Sequence, residues 1–460
     1  MNQSTVKILN TNPGASAIAA SAARMSTQPG TALDVYKKSG DSEKDIQLIR
    51  KVLSSGHKSV IEHHTLSVAF NDVSVLVEQF VIEFRLASFT VKSRRYVDFS
   101  GAGYVVPDGL TESQRAAFCA QMERLFRTYS VLQERGIPKE DARFVLPYAL
   151  RSNFFMTINA RELILMIASM IAGRGARFGE LRQIGEQLRA QFDALYPGVI
   201  EAELKQYRCP EQDLRTTEFL TGREMKGHAA LIGCPEDPEL LLETAMAFSG
   251  RFSSREGRFF CPENMNLLLN DSRARELEML NYTFRISNIS LACLTHFTRH
   301  RIQSPLIPDV IRALCRGDFI VPESVRADAV SFELYCRAFA DQAAAVRDAE
   351  QSGMAPDTLA YYAMSGHVTD ILLTANAREL LHFAKLRTCT RAQWEIRGVA
   401  RQMLVCLNQT SPAVFQGYGP SCAVTGRCPE GRMSCGHPVH IENGVWMTRG
   451  NTEEETTERE

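Results

Sequence analysis

Residues 297–312 read FTRHRIQSPLIPDVIR, so Arg299, His300 and Arg301 set two permanent cations around a titratable imidazole directly after an apolar run. Guanidinium groups hold anions through forked, charge-assisted hydrogen bonds, and an imidazole between them can donate, accept or carry a proton. A second cluster, SRRY at 93–96, joins the Ser93 hydroxyl to the Arg95 guanidinium and the Tyr96 phenol. A third, ARELLHFAKLR, spaces Arg378, His382 and Lys385 four and three residues apart, on one face of a helix, and ends on Arg387. Such residues can fix a small anionic ligand and stabilise charge that develops on it. No His-Asp relay accompanies Ser93, so it reads as a hydrogen-bond donor and not as a nucleophile.

These clusters sit in a chain of 460 residues, 45% hydrophobic and 23% charged, the composition of a globular protein of more than one domain. The net charge of -1 makes the basic clusters local features and argues against a nucleic-acid-coating protein. The opening residues lack a basic stretch followed by a sustained apolar core, and no window approaches the roughly 18 apolar residues of a membrane span. A cytoplasmic protein without membrane attachment is expected. Twelve scattered cysteines fit reduced thiols. The closing TEEETTERE is expected to be a disordered acidic tail, 441–460.

The chain contains itself twice. TINARELI, with Asn159 and Arg161, recurs 217 residues later as TANARELL, with Asn376 and Arg378. FRLASF at Arg85 and HRIQSP at Arg301 are 216 apart, and Pro107 of YVVP and Pro322 of FIVP are 215 apart. Two homologous domains are therefore expected, 1–220 and 221–440, joined near TTEFLTGREMKG. Each shows a helical opening, a strand (66–72; 280–286), an amphipathic helix, a loop with a Val-Pro turn, a long helix, then a strand and helix around Asn-Ala-Arg-Glu-Leu. The pattern is α+β, with a mostly antiparallel sheet flanked by helices in each domain. Glycine-rich phosphate loops are absent, so any nucleotide must be held by side chains. Read alone, Asn159-Glu162 and Asn376-Glu379 have the spacing of capping boxes, His57 fits a helix terminus and Trp394 a core, and clustered arginines fit an ion-pair network.

With GHKSVIEHHTLSVAF, FRLASFTVKSRRYVDFS and GIPKEDARFVLP in the first copy, and FTRHRI and NARELLHFAKLRTCTRAQWEIR in the second, the sequence resembles two flavin-dependent thymidylate synthases in tandem. That signature is Arg-His-Arg, a serine after seven residues, and Arg-Tyr close behind. The resemblance implies FAD, methylenetetrahydrofolate as one-carbon donor, NADPH as electron donor, dUMP as substrate, and a homodimer of two-copy chains imitating the family tetramer. The first copy keeps Ser93, Arg95, Tyr96 and the dUMP-contacting Arg143, but its triplet is Glu83-Phe84-Arg85 and its pyrimidine-polarising arginine is Met170. The second keeps Arg299-His300-Arg301 and Arg387, with Gln393-Trp394-Glu395 behind, but has Asp309, Ile311-Arg312 and Ala360 at the other positions.

One composite site with complementary halves is implied. Arg387 is its catalytic residue; Ser93, Arg95, Tyr96, Arg143, Arg299 and Arg387 bind substrate. Ser26, His57, Ser59, Glu62, Arg299, His300, Arg301, Asn376, Arg378 and His382 bind the flavin. The signature's Asn-Glu pair reads Thr90-Val91 and Leu306-Ile307, which leaves open a methyltransferase for another pyrimidine and a non-catalytic flavin- or nucleotide-binding descendant. In the tail at 418–440, Cys422, Cys428 and Cys435 with His437 or His440 could complete a zinc site, though their spacing is not that of a zinc knuckle.

Overall fold

In a computed structural model, residues 4–40, 43–207, 222–442 and 445–448 are described. The expected domain junction near residue 220 and most of the acidic tail lie outside them.

Alternating apolar residues build two equivalent sheets. The first joins β1 (Thr5–Thr11), β2 (Thr65–Ser74), β3 (Ala87–Val91) and β4 (Arg151–Asn159) in the order β1-β2-β4-β3, all antiparallel. The second joins β5 (His228–Gly233), β6 (Asn281–Ser290), β7 (Gln303–Leu306) and β8 (Val368–Asn376) in the order β5-β6-β8-β7. The α+β expectation holds, but both copies open on a strand where a helix was expected, and the loop before the Val-Pro turn contains another. These additions are edge strands. Each has a strand neighbour on one side only, and glutamine side chains complete the outer edge of the opening strands, Gln187 and Gln191 accepting from Val6 and Ile8 at 2.9 and 2.8 Å and Gln402 from Ala229 at 2.9 Å. β1 buries only Val6 and β7 tolerates Pro305, which weakens the alternation read from sequence.

The repeat extends to backbone irregularities. Asp72 and Asn288 have φ of 52° and 56° within equivalent bulges of β2 and β6. Their N–H groups donate to Asn153 and Asp370, at 3.0 and 2.8 Å. After each bulge Ser74 or Ser290 caps a helix, Val75–Ile82 or Leu291–Phe297, in which every residue is buried. Glu180 and Glu395 accept the N–H of these serines at 2.8 and 2.7 Å. The first copy therefore retains the glutamate of Gln-Trp-Glu although the rest of that run is gone.

By compactness the chain divides into one unit of Met1–Glu224 with Val310–His367 and another of Met225–Asp309 with Val368–Glu460. In the first unit the long helices of both copies, Glu112–Glu134 and Ala329–Gln351, pack together, and Gln121 donates to Gln342 at 2.6 Å in the core. Beside them the chain at 144–149 exchanges hydrogen bonds with its own counterpart. Tyr148 donates to the Ala363 carbonyl at 2.6 Å and Ser365 to Leu146 at 2.9 Å; Ala149 donates to Tyr361 at 3.1 Å and Gly366 to Phe144 at 2.8 Å. Each bond maps onto the other of its pair by the 217-residue repeat, with Pro147 opposite Met364, so a local twofold axis passes between them.

This exchange leaves no room at Gly366, where an added Cβ would lie 2.8 Å from Phe339, 2.9 Å from the Tyr335 hydroxyl and 3.0 Å from the Phe144 carbonyl. Gly366→Ala is expected to lower stability by about 1–3 kcal/mol, the usual range for overpacking. Urea unfolding measures it, and an unchanged midpoint would contradict the close packing.

Candidate active site

In the first unit, the residues at 93–96 form a turn in which Ser93 Oγ accepts the Arg95 N–H at 3.3 Å. Arg94 points inward and grips buried Glu78 with both terminal nitrogens, at 2.7 and 2.9 Å, which anchors the turn to the apolar helix. Arg95 is thereby turned outward. Its Nε donates to Glu140, and its guanidinium lies 5.3 Å from the centre of the exposed Tyr96 ring. The backbone carbonyl of Glu140 accepts from Arg143 Nε at 3.0 Å, so one residue organises both arginines. Ser93, Arg95, Tyr96 and Arg143 are brought together, and Glu140, which the sequence reading missed, joins them. Its only signal was its place three residues before Arg143.

In the second unit the apolar helix ends at the triplet. Arg299 and Arg301 are exposed while His300 between them is buried, 5% exposed. His300 Nδ1 lies 2.8 Å from Glu379 Oε1, and Nε2 accepts from Arg387 Nε at 2.9 Å. Arg387 also reaches the His296 carbonyl at 3.4 Å. The Phe383 ring tilts against the imidazole at 4.8 Å, and the exposed His382 ring lies 5.9 Å away. Burial pushes the proton affinity of His300 down, Glu379 opposes this, and Arg387 and His382 add to it, for a net lowering. Burial likewise lowers Lys385, which lies 5.4 Å from the centre of the Tyr418 ring.

The remaining expected residues are more ordinary in their surroundings. Asn376 accepts the Glu379 N–H at 2.9 Å as a helix cap, and Asn159 does the same for Glu162 at 3.0 Å. The Glu379 carboxylate that a capping box would turn back to the cap is instead directed to His300. Glu62 pairs with Arg161, and Arg378 with Glu278 at 2.5 Å, the same ion pair in each copy. Ser26, His57 and Ser59 are exposed at helix termini. In the first copy Glu83 pairs with Arg174 at 2.6 Å, so the triplet's counterpart is charge-neutralised.

In the tail Cys422 accepts the Val439 N–H at 3.4 Å and Cys435 donates to the His437 carbonyl at 3.6 Å. Burial raises the Cys389 thiol, and Cys422 and Cys435 add to it, so this cysteine from the loop after Arg387 lies within electrostatic reach of the tail cysteines. Among the described residues no three ligand-type side chains are placed to hold a metal ion, and no helix is long and apolar enough to cross a membrane. A separate cavity of about 330 Å³ in the first unit, bordered by Arg115, Arg151, Arg177 and Glu180, contains none of the expected site residues.

Fold and repeat together define a duplicated α+β protein with an arginine cluster in each unit. The family model described as thymidylate synthase complementing protein matches residues 7–198 and again 231–413. The chain belongs to that family, in two tandem copies. Among its relatives, the flavin-dependent thymidylate synthase of Geobacter sulfurreducens is 37% identical over 36% of this chain and 72% of its own length. That of Clostridium tetani is 30% identical over 39% and 78%. A crystal structure of the UMP/dUMP methylase PolB from Streptomyces cacaoi with 5-Br dUMP is 25% identical and covers 44% of this chain and 94% of the other, with a TM-score of 0.38.

Neutral His300 has a thermodynamic consequence. Its proton affinity is held below the usual 6.5, so the unfolded chain takes up this proton first as pH falls. The stability it contributes is whole above pH 6.5 and is lost as pH drops from there through the folded-state value. Urea unfolding across that window should show wild-type stability falling, with that component missing from His300→Phe; equal pH slopes would exclude it.

Proposed function

We propose that the protein is an FAD-dependent thymidylate synthase, converting dUMP to dTMP with methylenetetrahydrofolate and NADPH. The two repeats are taken as the inherited units, each keeping one side of a composite site, in a chain that works as a homodimer in the cytoplasm. The observation that carries this reading is complementary loss. The substrate loop with Arg143 is whole in the first copy, while the triplet and Arg387 are linked in the second. What each copy lacks has been replaced by Phe84 and Met170 on one side, and by Asp309 and Ala360 on the other.

The donor set of the second copy suits a flavin dinucleotide, whose diphosphate needs cations: Arg299 and Arg301 are exposed around a buried imidazole, with His382 beside them. The corresponding glutamate of the first copy, neutralised by Arg174, does not suit it. Bound flavin would supply hydride chemistry, and the protein's part is geometry and charge. Arg95 and Arg143 would fork onto the nucleotide phosphate, with Ser93 and Tyr96 completing that side. Arg387, with Arg299 near, would hydrogen-bond the pyrimidine and stabilise charge on it as the ring is reduced. Ser26, His57, Ser59, Glu62, Asn376 and Arg378 would border the flavin. Net transfer moves the folate's methylene to C5 of the ring, releases the C5 proton, and uses the two electrons of NADPH to bring that carbon to a methyl group.

Loss of the Asn-Glu pair favours a second reading, a flavin-dependent methyltransferase for another pyrimidine, since Thr90 and Leu306 stand exposed on edge strands where the pair would be. The visible spectrum of the purified protein, with FAD added if needed, is expected to show bound flavin. dUMP-dependent methylation should fall about 10²–10³-fold in Arg387→Ala, the loss typical of one charge-stabilising donor, and also in Arg299→Ala. A flavin-free protein inert towards dUMP would sink the proposal, whereas activity on a different pyrimidine nucleotide would select the second reading.

A further inference from the structure

The clearest built arrangement beyond the expected residues is the chain Glu379, His300, Arg387. Arginine keeps all its protons in a protein, so its Nε–H at 2.9 Å from His300 Nε2 must point at a lone pair. Nε2 is then unprotonated, and the single proton of the neutral ring resides on Nδ1, 2.8 Å from Glu379 Oε1. A doubly protonated ring would set N–H against N–H at Arg387. His300 and Glu379 are 5% and 8% exposed, and Phe383 packs against the ring with Phe297 stacked on Phe383, so little room is left for water to substitute for either partner.

The first copy serves as an internal comparison. Glu162 occupies the position of Glu379 and its N–H is capped by Asn159 in the same way, yet Phe84 and Met170 replace imidazole and guanidinium together. The cap therefore does not explain the turn of the Glu379 carboxylate towards His300.

We propose that Glu379 is a positioning residue: by accepting the Nδ1 proton it fixes the tautomer of His300, whose Nε2 lone pair sets the plane of the Arg387 guanidinium for the pyrimidine. The inference rests on the assignment of Arg387 to the substrate. It adds that a carboxylate without a place in the expected flavin or substrate shell governs turnover, through orientation and not through contact with the reacting atoms.

The experiment uses the full-length holoprotein. Histidine side-chain nitrogen resonances, assigned with His300→Phe, should report His300 protonated at Nδ1 alone at neutral pH, with the Arg387 Nε–H resonance protected from exchange. Glu379→Gln retains an acceptor oxygen and should keep this tautomer and near-wild-type turnover. Glu379→Leu removes the acceptor; the other tautomer should appear, Arg387 Nε–H protection should be lost, and kcat should fall about a hundredfold, the usual effect of a small misplacement, with a much smaller change in KM for dUMP. An Nε2–H tautomer in the wild type would overturn the proposal, as would a Glu379→Leu protein that shifts tautomer without losing kcat. If the wild type does not turn over dUMP, the function assigned above fails while the tautomer and exchange data still decide whether Glu379 sets the plane of Arg387. If Glu379→Leu does not fold, Glu379→Gln decides: lost tautomer or lost turnover there counts against the relay.

Discussion

A buried stretch of backbone must find partners for its N–H and C=O groups, and at 144–149 the partners are the same stretch of the other copy. Residues from Phe144 to Leu146, with Ala149 and Leu150, have no exposed surface, and Ala360 to Met364 are at most 2% exposed. An unpaired polar group there costs about 1–3 kcal/mol, so neither segment is satisfactory without its counterpart. The twofold exchange meets this demand in both directions at once. Arg143 immediately precedes the exchanged segment, so the rigidity this pairing imposes passes directly to a residue that shares Glu140 with Arg95.

Delivery of the charged groups depends on the same economy of buried surface. A short, mostly apolar helix buried on every face has only one stable location, inside, and the residues just after its end emerge at a fixed point. A basic triplet directly after an apolar run is accounted for in this way, since in the second copy the buried helix delivers Arg299 and Arg301 to the surface and leaves His300 beneath it. In the first copy the equivalent helix carries buried Glu78, which Arg94 grips with both terminal nitrogens, and the pair fixes the turn that directs Arg95 outward. One framework thus presents a different set of charged groups in each copy, according to whether the buried helix carries Glu78 or its counterpart Leu294.

Much of this was legible in the sequence. The central strands β2, β4, β6 and β8, the long helices and both asparagine caps could be read from periodicity and spacing, because each buries a continuous face or satisfies a local backbone need. The edge strands could not, since a strand with one strand neighbour and few buried side chains places little demand on side-chain pattern. Residues grouped near one another in sequence were found together, whereas Glu140 and Cys389 were missed because their roles depend on partners that only folding brings close. Glu379 was misjudged for a different reason. Its position satisfies a capping rule, and only the location of His300 shows that its carboxylate is used elsewhere.

The difference between the copies at these positions has a physical logic of its own. A buried imidazole stripped of its arginine would keep an unsatisfied nitrogen, and a half-buried arginine stripped of its imidazole would lose the acceptor at Nε. Replacing both by apolar side chains of similar size can be nearly neutral, while removing either alone incurs the desolvation penalty of the other. Phe84 and Met170 are such a joint replacement, and the carboxylate left behind at Glu162 accommodates burial with a raised proton affinity. A polar relay of this kind is therefore expected to be present whole or to vanish apart from its cap. The two copies of one chain show both outcomes on a common fold.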